Sequence, residues 1–446
     1  MGQHQIKNMF RITGRSFFAK KYSILLLSMV LFYLNGCAAM NSIQRLSSPF
    51  PVHPERDLER NKFSVERGDD VIGCMAVIRI EHGDTLPDIA RHFSLGINEV
   101  SAANPGVDVW VPESGERIML PLQFVLPDAP RKGIVINLAT MRLFQYKGGS
   151  RSLFVMTYPV GVGTAERPTP TGQMYVERKV IRPTWHVPAS ISEDHRKKGD
   201  PLPAKVLPGP LNPLGEYALY LSKSTYLIHG TNKPASIGLN ATNGCLRLYP
   251  EDVKKLYETT PVNTPVCIVN QPYLIGQSNG TVYMEVHAPL EGSDTVELDK
   301  MYKRLRSIEK NSGHPLDWNK VEKVLAEARG VPVPILQTDN GRWVEQTIEV
   351  EHPEKLYGKP EVPELKTDAW YVWAADMDDK TEALRIAAII NHQGPQIPAR
   401  VLSRNSSYRI IAGPYNDAGE ARNAAKRLKI DLEIDGILIE PSRNNP

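Results

Sequence analysis

The sequence predicts a multidomain chain: a mainly-β central unit, preceded by a small βααβ unit and followed by an α+β unit of ferredoxin-like βαββαβ order. Three observations lead there. The 446 residues suffice for roughly three domains at about 150 each. Between Gly133 and Gln271 apolar residues recur with the strand period of two, punctuated by Pro/Gly blocks, whereas helical i, i+3, i+4, i+7 stripes sit in the flanking segments. Thirty-six prolines and 32 glycines fit β-rich domains joined by stiff connectors.

The first 22 residues carry Lys7, Arg11, Arg15, Lys20 and Lys21 and no acid, and Tyr22 to Leu34 is an almost unbroken apolar run of 13. That is too short to span a bilayer comfortably and fits the core of a signal peptide. The run ends in Leu34-Asn35-Gly36-Cys37, which resembles a bacterial lipoprotein signal. The resemblance implies that residues 1–36 are removed and that Cys37 carries the lipid, each buried CH2 adding roughly 0.8 kcal/mol of membrane affinity. Ala38 in place of an acidic residue resembles a sorting pattern for the outer membrane, which puts the protein in the periplasm. Losing five positive charges takes the chain from +3 to −2, so no electrostatic footprint for nucleic acid is left. Residues 37–75, with Pro49, Pro51, Pro54 and the charge-mixed run Glu55 to Lys62, read as a tether of roughly 30 to 40 Å root-mean-square reach.

Residues 76–122 form the first compact unit. Ala76 to Ile80 reads as a strand, Gly83-Asp84-Thr85 supplies a helix N-cap with Pro87 in the first turn, and Leu86, Ile89, Ala90 and Phe93 give an apolar stripe. A second short helix (Ile97 to Ala103) ends at Asn104-Pro105-Gly106, and Arg117 to Pro121 closes as a strand. With GDTLPDIA and AANPGVDVWVP in that order, the unit resembles a LysM module, which implies binding to N-acetylglucosamine-containing glycans.

Residues 131–271 hold the candidate site. Ile134, Ile136 and Leu138 alternate with Val135, Asn137 and Ala139, a strand buried on both faces, and Leu143 to Tyr146 leads through Lys147-Gly148-Gly149 into Leu153 to Val160. Rigid Pro/Gly blocks follow: Arg167-Pro168-Thr169-Pro170-Thr171-Gly172, Trp185-His186-Val187-Pro188 and Pro208 to Gly215. Then comes IHGTNKPASIGLNATNGCLRL (Ile228 to Leu248), with His229 and Cys245 16 positions apart. A thiol is a good acyl-transfer nucleophile only as thiolate, so a Gly-Cys turn with a histidine in folding reach makes a candidate nucleophile and base. His186 beside Trp185 reads as pocket wall. No CxxC, HExxH or His/Asp cluster argues for a metal, and no cofactor is called for.

VGVGTAERPTPTG, PGPLNPLG and IHGTNKPASIG…TNGCLRL together resemble the L,D-transpeptidase (YkuD-type) catalytic domain, which implies a β-sandwich that cross-links peptidoglycan stem peptides, or attaches a lipoprotein to them, through a cysteine thioester. The resemblance makes Cys245 the nucleophile on a diaminopimelate carbonyl, His229 its base, the Gly230 carbonyl the orienter of the imidazole, and N–H groups near Gly244 and Cys245 the oxyanion donors. Arg247, two residues on and so on the same strand face, is the candidate clamp for a substrate carboxylate. The family's Ser/Thr-His-Gly-Cys is here Thr242-Asn243-Gly244-Cys245, and Asn243 cannot carry a proton. A wall-binding scaffold with a silent site, or a carboxypeptidase in which water replaces the acceptor amine, are the competing functions. Cys74 and Cys267 could pair in an oxidising periplasm or remain two isolated thiols.

Residues 272–330 read as a strand and two charged helices packed on the central domain as an annex, and residues 331–367, with Pro332, Pro334, Pro353, Pro360 and Pro363, as a second semi-stiff linker. Residues 368–442 carry two helical stripes (Ala383, Ile386, Ala387, Ile390; Ala421, Ala424, Ala425, Leu428) between four strands. With Tyr408 to Tyr415 and the following helix they resemble a SPOR domain, which implies binding to glycan strands stripped of stem peptides and an address at division-site wall.

Overall fold

The computed structural model describes residues 52–53, 58–66, 68–148, 153–197, 199–223, 225–290, 295–337, 347–404 and 407–442. The signal-peptide reading and Cys37 fall outside them. Among the described residues no helix is long and apolar enough to cross a membrane.

The central domain is one nine-stranded sheet folded on itself. Its strands run in the order Leu246–Arg247, Leu227–His229, Tyr217–Leu221, Gly172–Ile181, Pro265–Val269, Gly133–Asn137, Arg142–Gly148, Leu153–Pro159 and Lys62–Val65. The bend lies in the ten-residue strand Gly172–Ile181: its first half pairs with Pro265–Ile268 and its second half with Tyr217–Leu221, with a register shift between Val176 and Arg178. Such a shift sharpens the local twist and lets one strand serve two sheet halves. Ile134, Ile136, Leu143, Tyr158, Met174, Val176, Leu219, Ile228, Leu246 and Ile268 fill the space between the halves, so the two ends of the sheet close over a single apolar core. The Pro250–Thr259 helix adds Val253 and Leu256 to it.

The alternation through Ile134 to Leu138 has its counterpart on the other face, where Val135, Phe144, Tyr146 and Val155 are equally buried. Their cover is the small N-terminal unit: strand Ala76–Arg79, helix Leu86–His92, helix Ile97–Ala103 and strand Arg117–Leu120, whose Ile78, Leu86, Ile89, Phe93 and Val100 belong to the same apolar cluster. Thr85 caps the first helix by accepting from the Asp88 N–H, with proline in the first turn.

Both segments read as connectors are partly built into sheets. Lys62–Val65 is the edge strand on Leu153–Met156, Val71–Gly73 pairs with Gln123–Val125, and Ile348–Val350 lies parallel to Ala76–Val77. Each is three or four residues long, too short for alternation to stand out from a proline- and charge-rich background. Residues 272–337 are likewise more than an annex: Tyr273–Ser278, Thr281–Val286 and Val333–Pro334 make a three-stranded sheet under helices Thr295–Ser312 and Trp318–Glu327, with a core of their own around Met284, Leu305 and Val321.

The C-terminal unit orders its strands Ala399–Arg404, Ser407–Tyr415, Trp370–Met377, Ile437–Ile439, all antiparallel, with helices Lys380–Asn391 and Ala418–Leu432 on one face. Val372, Ile386, Ile390, Ile410, Ala412 and Leu428 form its separate core. The opposite sheet face carries Trp373 with the Arg409 guanidinium 3.9 Å from its ring centroid, and Tyr371, Leu402, Ile411 and Ile439.

Candidate active site

His229 and Cys245 come to neighbouring ends of two short strands that lie side by side. Leu227–His229 runs parallel to Leu246–Arg247 with Ile228 opposite Leu246 and His229 opposite Arg247. Side chains alternate along a strand, so Cys245 and Arg247 share a face, and the register puts His229 on that face too. The strand pairing is closed by Leu248 N–H donating to the His229 carbonyl (2.9 Å) and, on the far side, by Gly161 exchanging backbone bonds with Arg247 (2.9 and 3.0 Å).

The imidazole is 4 % exposed. Its Nδ1 lies 2.7 Å from the Gly230 carbonyl oxygen. A carbonyl can only accept, so Nδ1 carries the proton and Nε2 keeps its lone pair. Burial, with the Arg247 charge second, holds the ring far below the usual histidine range, at about 3, against the opposing pull of the Gly230 and Leu214 carbonyls. The ring is therefore neutral at any physiological pH. Cys245 is partly exposed, and its thiol points to the Thr225 carbonyl at 3.8 Å. Burial pushes its pKa up, while the Leu227 backbone and the Arg247 charge pull the other way. Thiol and imidazole thus both rest uncharged at neutral pH.

Thr242 is buried and braces the turn before the cysteine: its Oγ1 donates to the Cys245 carbonyl (2.6 Å) and accepts from the Gly244 N–H (3.1 Å). The Gly244 N–H, expected to face an oxyanion, is thereby already engaged by Thr242 Oγ1. Gly244 has φ +97°, and a Cβ there would come 2.9 Å from the Tyr226 ring, so only glycine fits. Its carbonyl accepts from Thr169 Oγ1 (3.0 Å), which in turn accepts from Gly163 N–H (3.0 Å).

Asn243 is exposed and does not turn to the sulfur. Its Oδ1 accepts from Arg167, whose other arm donates to Asp194 at 2.9 Å. Asp194 lies on helix Ala189–Lys197, which buries no residue and follows the strand Trp185–His186, itself paired with Lys205–Val206. His186 sits exposed in that pair. Arg167 was visible in the sequence only as the head of a proline block; its pairing across 76 positions had no local signal.

Arg247 reaches Ser236 Oγ with Nη1 at 3.4 Å, while its buried Nε has no partner among the described residues. A buried guanidinium N–H without an acceptor is a place where a substrate oxygen can be received. Asn212, fully buried, ties the PGPLNPLG block down by donating to Pro183 O (2.8 Å) and accepting from Leu214 N–H (2.9 Å), which brings the Leu214 carbonyl to the histidine. Cys74, Cys245 and Cys267 are all free thiols, so the Cys74–Cys267 bridge is not formed. No group of histidine, cysteine and carboxylate side chains able to hold a metal occurs among the described residues.

Residues 131–268 match the family model described as the L,D-transpeptidase catalytic domain, and residues 366–440 match the SPOR domain. The chain is 38 % identical over 278 residues to the probable L,D-transpeptidase ErfK/SrfK of Salmonella typhimurium, covering 60 % of this chain and 88 % of that one. It is 37 % identical to the probable L,D-transpeptidase YbiS of Escherichia coli, covering 60 % and 89 %. The NMR structure of the catalytic domain from an E. faecium L,D-transpeptidase aligns at 21 % identity and TM-score 0.24 over 32 % of this chain and 99 % of that one. The chain belongs to the L,D-transpeptidase family and carries a SPOR domain at its C-terminal end.

Proposed function

We propose that the protein is a peptidoglycan L,D-transpeptidase working through a thioester on Cys245. The observation that carries this reading is the Gly230 carbonyl on His229 Nδ1, which leaves Nε2 as an acceptor on the face that Cys245 and Arg247 share. His229 Nε2 takes the thiol proton as sulfur attacks the carbonyl on the L-centre of diaminopimelate in a donor tetrapeptide. The oxyanion is held by Cys245 N–H, a donor of a kind whose removal typically costs about 3 kcal/mol of barrier. The carbon–nitrogen bond to the terminal D-alanine breaks and the amine leaves with the proton from His229. An acceptor amine then attacks the thioester, gives its extra proton to His229 and restores the thiol. The peptide bond's energy is kept in the thioester, so no nucleotide is consumed. Arg247 Nε receives a substrate carboxylate. The acceptor is a second stem peptide, giving 3-3 cross-links, or a lipoprotein.

The surrounding domains fit a wall-bound enzyme. The βααβ unit with its Thr85 cap serves as a LysM glycan-binding module, and the Trp373/Arg409/Tyr371 face of the SPOR domain offers aromatic and cationic surface to denuded glycan. Weak sugar contacts on one chain raise the local concentration of stem peptides. The lipid at Cys37 holds the protein in the periplasm at the outer membrane. Intact-mass analysis of the mature protein with a carbapenem tests the nucleophile: one adduct is expected on the parent and none on Cys245→Ala. Muropeptides from Cys245→Ala cells are expected to lack 3-3 dimers or lipoprotein-linked stems; loss of shortened stems alone would instead assign hydrolysis.

A further inference from the structure

The loop from Gly230 to Gly244 joins the proposed base to the proposed nucleophile, and both flanking units close on it. At its start the SPOR domain presents Gly394 so tightly that an added Cβ would fall on the Asn232 carbonyl oxygen and come 2.8 Å from the Lys233 side chain. Lys233 Nζ pairs with Asp431 at 3.3 Å. At its middle the N-terminal unit takes over. Ile97 N–H donates to the Ile237 carbonyl (3.2 Å), and a Cβ on Gly238 would come 2.8 Å from Ile97 N and 2.9 Å from Gly96 Cα. Beyond Cys245, Tyr249 OH donates to the Leu95 carbonyl (3.1 Å) and Arg91 makes a two-armed pair with Glu251 at 2.9 Å each.

Inside the loop, the gripped residues lead directly to the site. Ser236 Oγ donates to the Lys233 carbonyl (2.7 Å) and receives Arg247 Nη1, and the Leu239 carbonyl accepts from Val162 N–H (3.1 Å) beside the Gly161–Arg247 bridge. The SPOR domain also holds Asp200 through Lys426 at 3.1 Å.

We infer that the two flanking units set the geometry of the transfer site, with Gly394 and Asp431 on one side and Ile97 on the other acting as positioning residues for His229, Cys245 and Arg247. The inference rests on the acyl-transfer reading above only for its catalytic readout. A displacement of about 1 Å at a reacting pair costs on the order of a hundredfold in rate. A wedge at Gly394 forces the Asn232–Lys233 backbone aside, three residues from His229. The loop moves while the site's own residues are untouched.

The test uses the full mature chain. Gly394→Ala is expected to raise hydrogen exchange in peptides covering residues 230–239 severalfold and to slow carbapenem acylation of Cys245 by at least about tenfold. Lys233→Glu is expected to slow acylation by a smaller factor, and Lys233→Glu with Asp431→Lys to restore it, with retention on isolated wall material unchanged in all. Parent-like exchange and acylation in Gly394→Ala overturns the inference, as does failure of the charge swap to rescue. Should Gly394→Ala not fold, the swap pair decides. Should the parent itself take no adduct, the acyl-transfer reading falls, and the exchange measurement still judges the positioning role.

Discussion

The two ends of the chain reach the central domain by different physics. The N-terminal βααβ unit shares an apolar core with it, and across that core Arg142, wholly buried, holds Glu99 with two bonds of 2.7 Å while two more of its N–H groups go to Thr157 Oγ1 and the Ser94 carbonyl. Glu99 also accepts from Gly96 N–H at 2.5 Å. The SPOR domain keeps a separate core and touches its neighbours mostly through partly exposed polar pairs, Arg385 with Asp108, Lys233 with Asp431 and Lys426 with Asp200, and at one covered point where His392 Nε2 meets Asp88 (3.1 Å) beside the Trp110 ring. An apolar seam with a buried, multiply bonded ion pair is part of one folding unit, whereas polar contacts around an independent core describe a domain that docks. The first cannot open without exposing a core; the second can open at small cost.

The largest test of that contrast is at the buried pair. Arg142→Ala leaves a carboxylate in an apolar seam, and a loss of roughly 3–5 kcal/mol is expected in denaturant unfolding of the central domain. Replacing both partners, Arg142→Met with Glu99→Leu, is expected to recover most of it. A loss under 1 kcal/mol for the single change would mean that the N-terminal unit is merely docked too.

Next comes Asp252, in the first turn of the helix Pro250–Thr259. Burial, with Glu251 beside it, pushes its carboxyl up to about 7, and Oδ2 has no partner among the described residues. The folded-state value is raised above the unfolded one, about 3.9, so stability is full below pH 4 and is lost as pH rises through about 7. Asp252→Asn is expected to raise the thermal midpoint of the central domain at pH 8 and to change it little at pH 4. Equal effects at both values would show that the carboxyl is not charged in the fold at pH 8.

The smallest effect belongs to the docked side. Arg385→Glu is expected to cost no more than about 1 kcal/mol in unfolding of the SPOR domain, as exposed pairs do, yet to raise hydrogen exchange where residues 80–110 meet it. The parent should show the same rise between about 0.05 and 0.5 M salt, because such pairs are screened. No salt dependence would place the two ends in one class.

The features legible in the residues alone are the local ones. Periods of two and 3.6 marked the strands through Ile134 and Phe144, the helices at Leu86 and Ala383 and the βαββαβ order, because a strand or helix writes its buried face into its own residues. The Pro/Gly blocks and the His229–Cys245 stretch were legible because a rigid loop needs particular residue types at fixed spacing. The three- and four-residue strands Lys62–Val65 and Ile348–Val350 were not, since their pairing is decided by the partner edge rather than by their own pattern. Only the tertiary structure decided which groups share the site: that Thr242 occupies the Gly244 N–H, that Asn243 turns to Arg167, that Glu99 meets Arg142 across 43 positions, and that Gly394 abuts Asn232. Hydrogen bonds and ion pairs between distant residues leave no periodic trace, because each depends on where two separately specified elements come to rest.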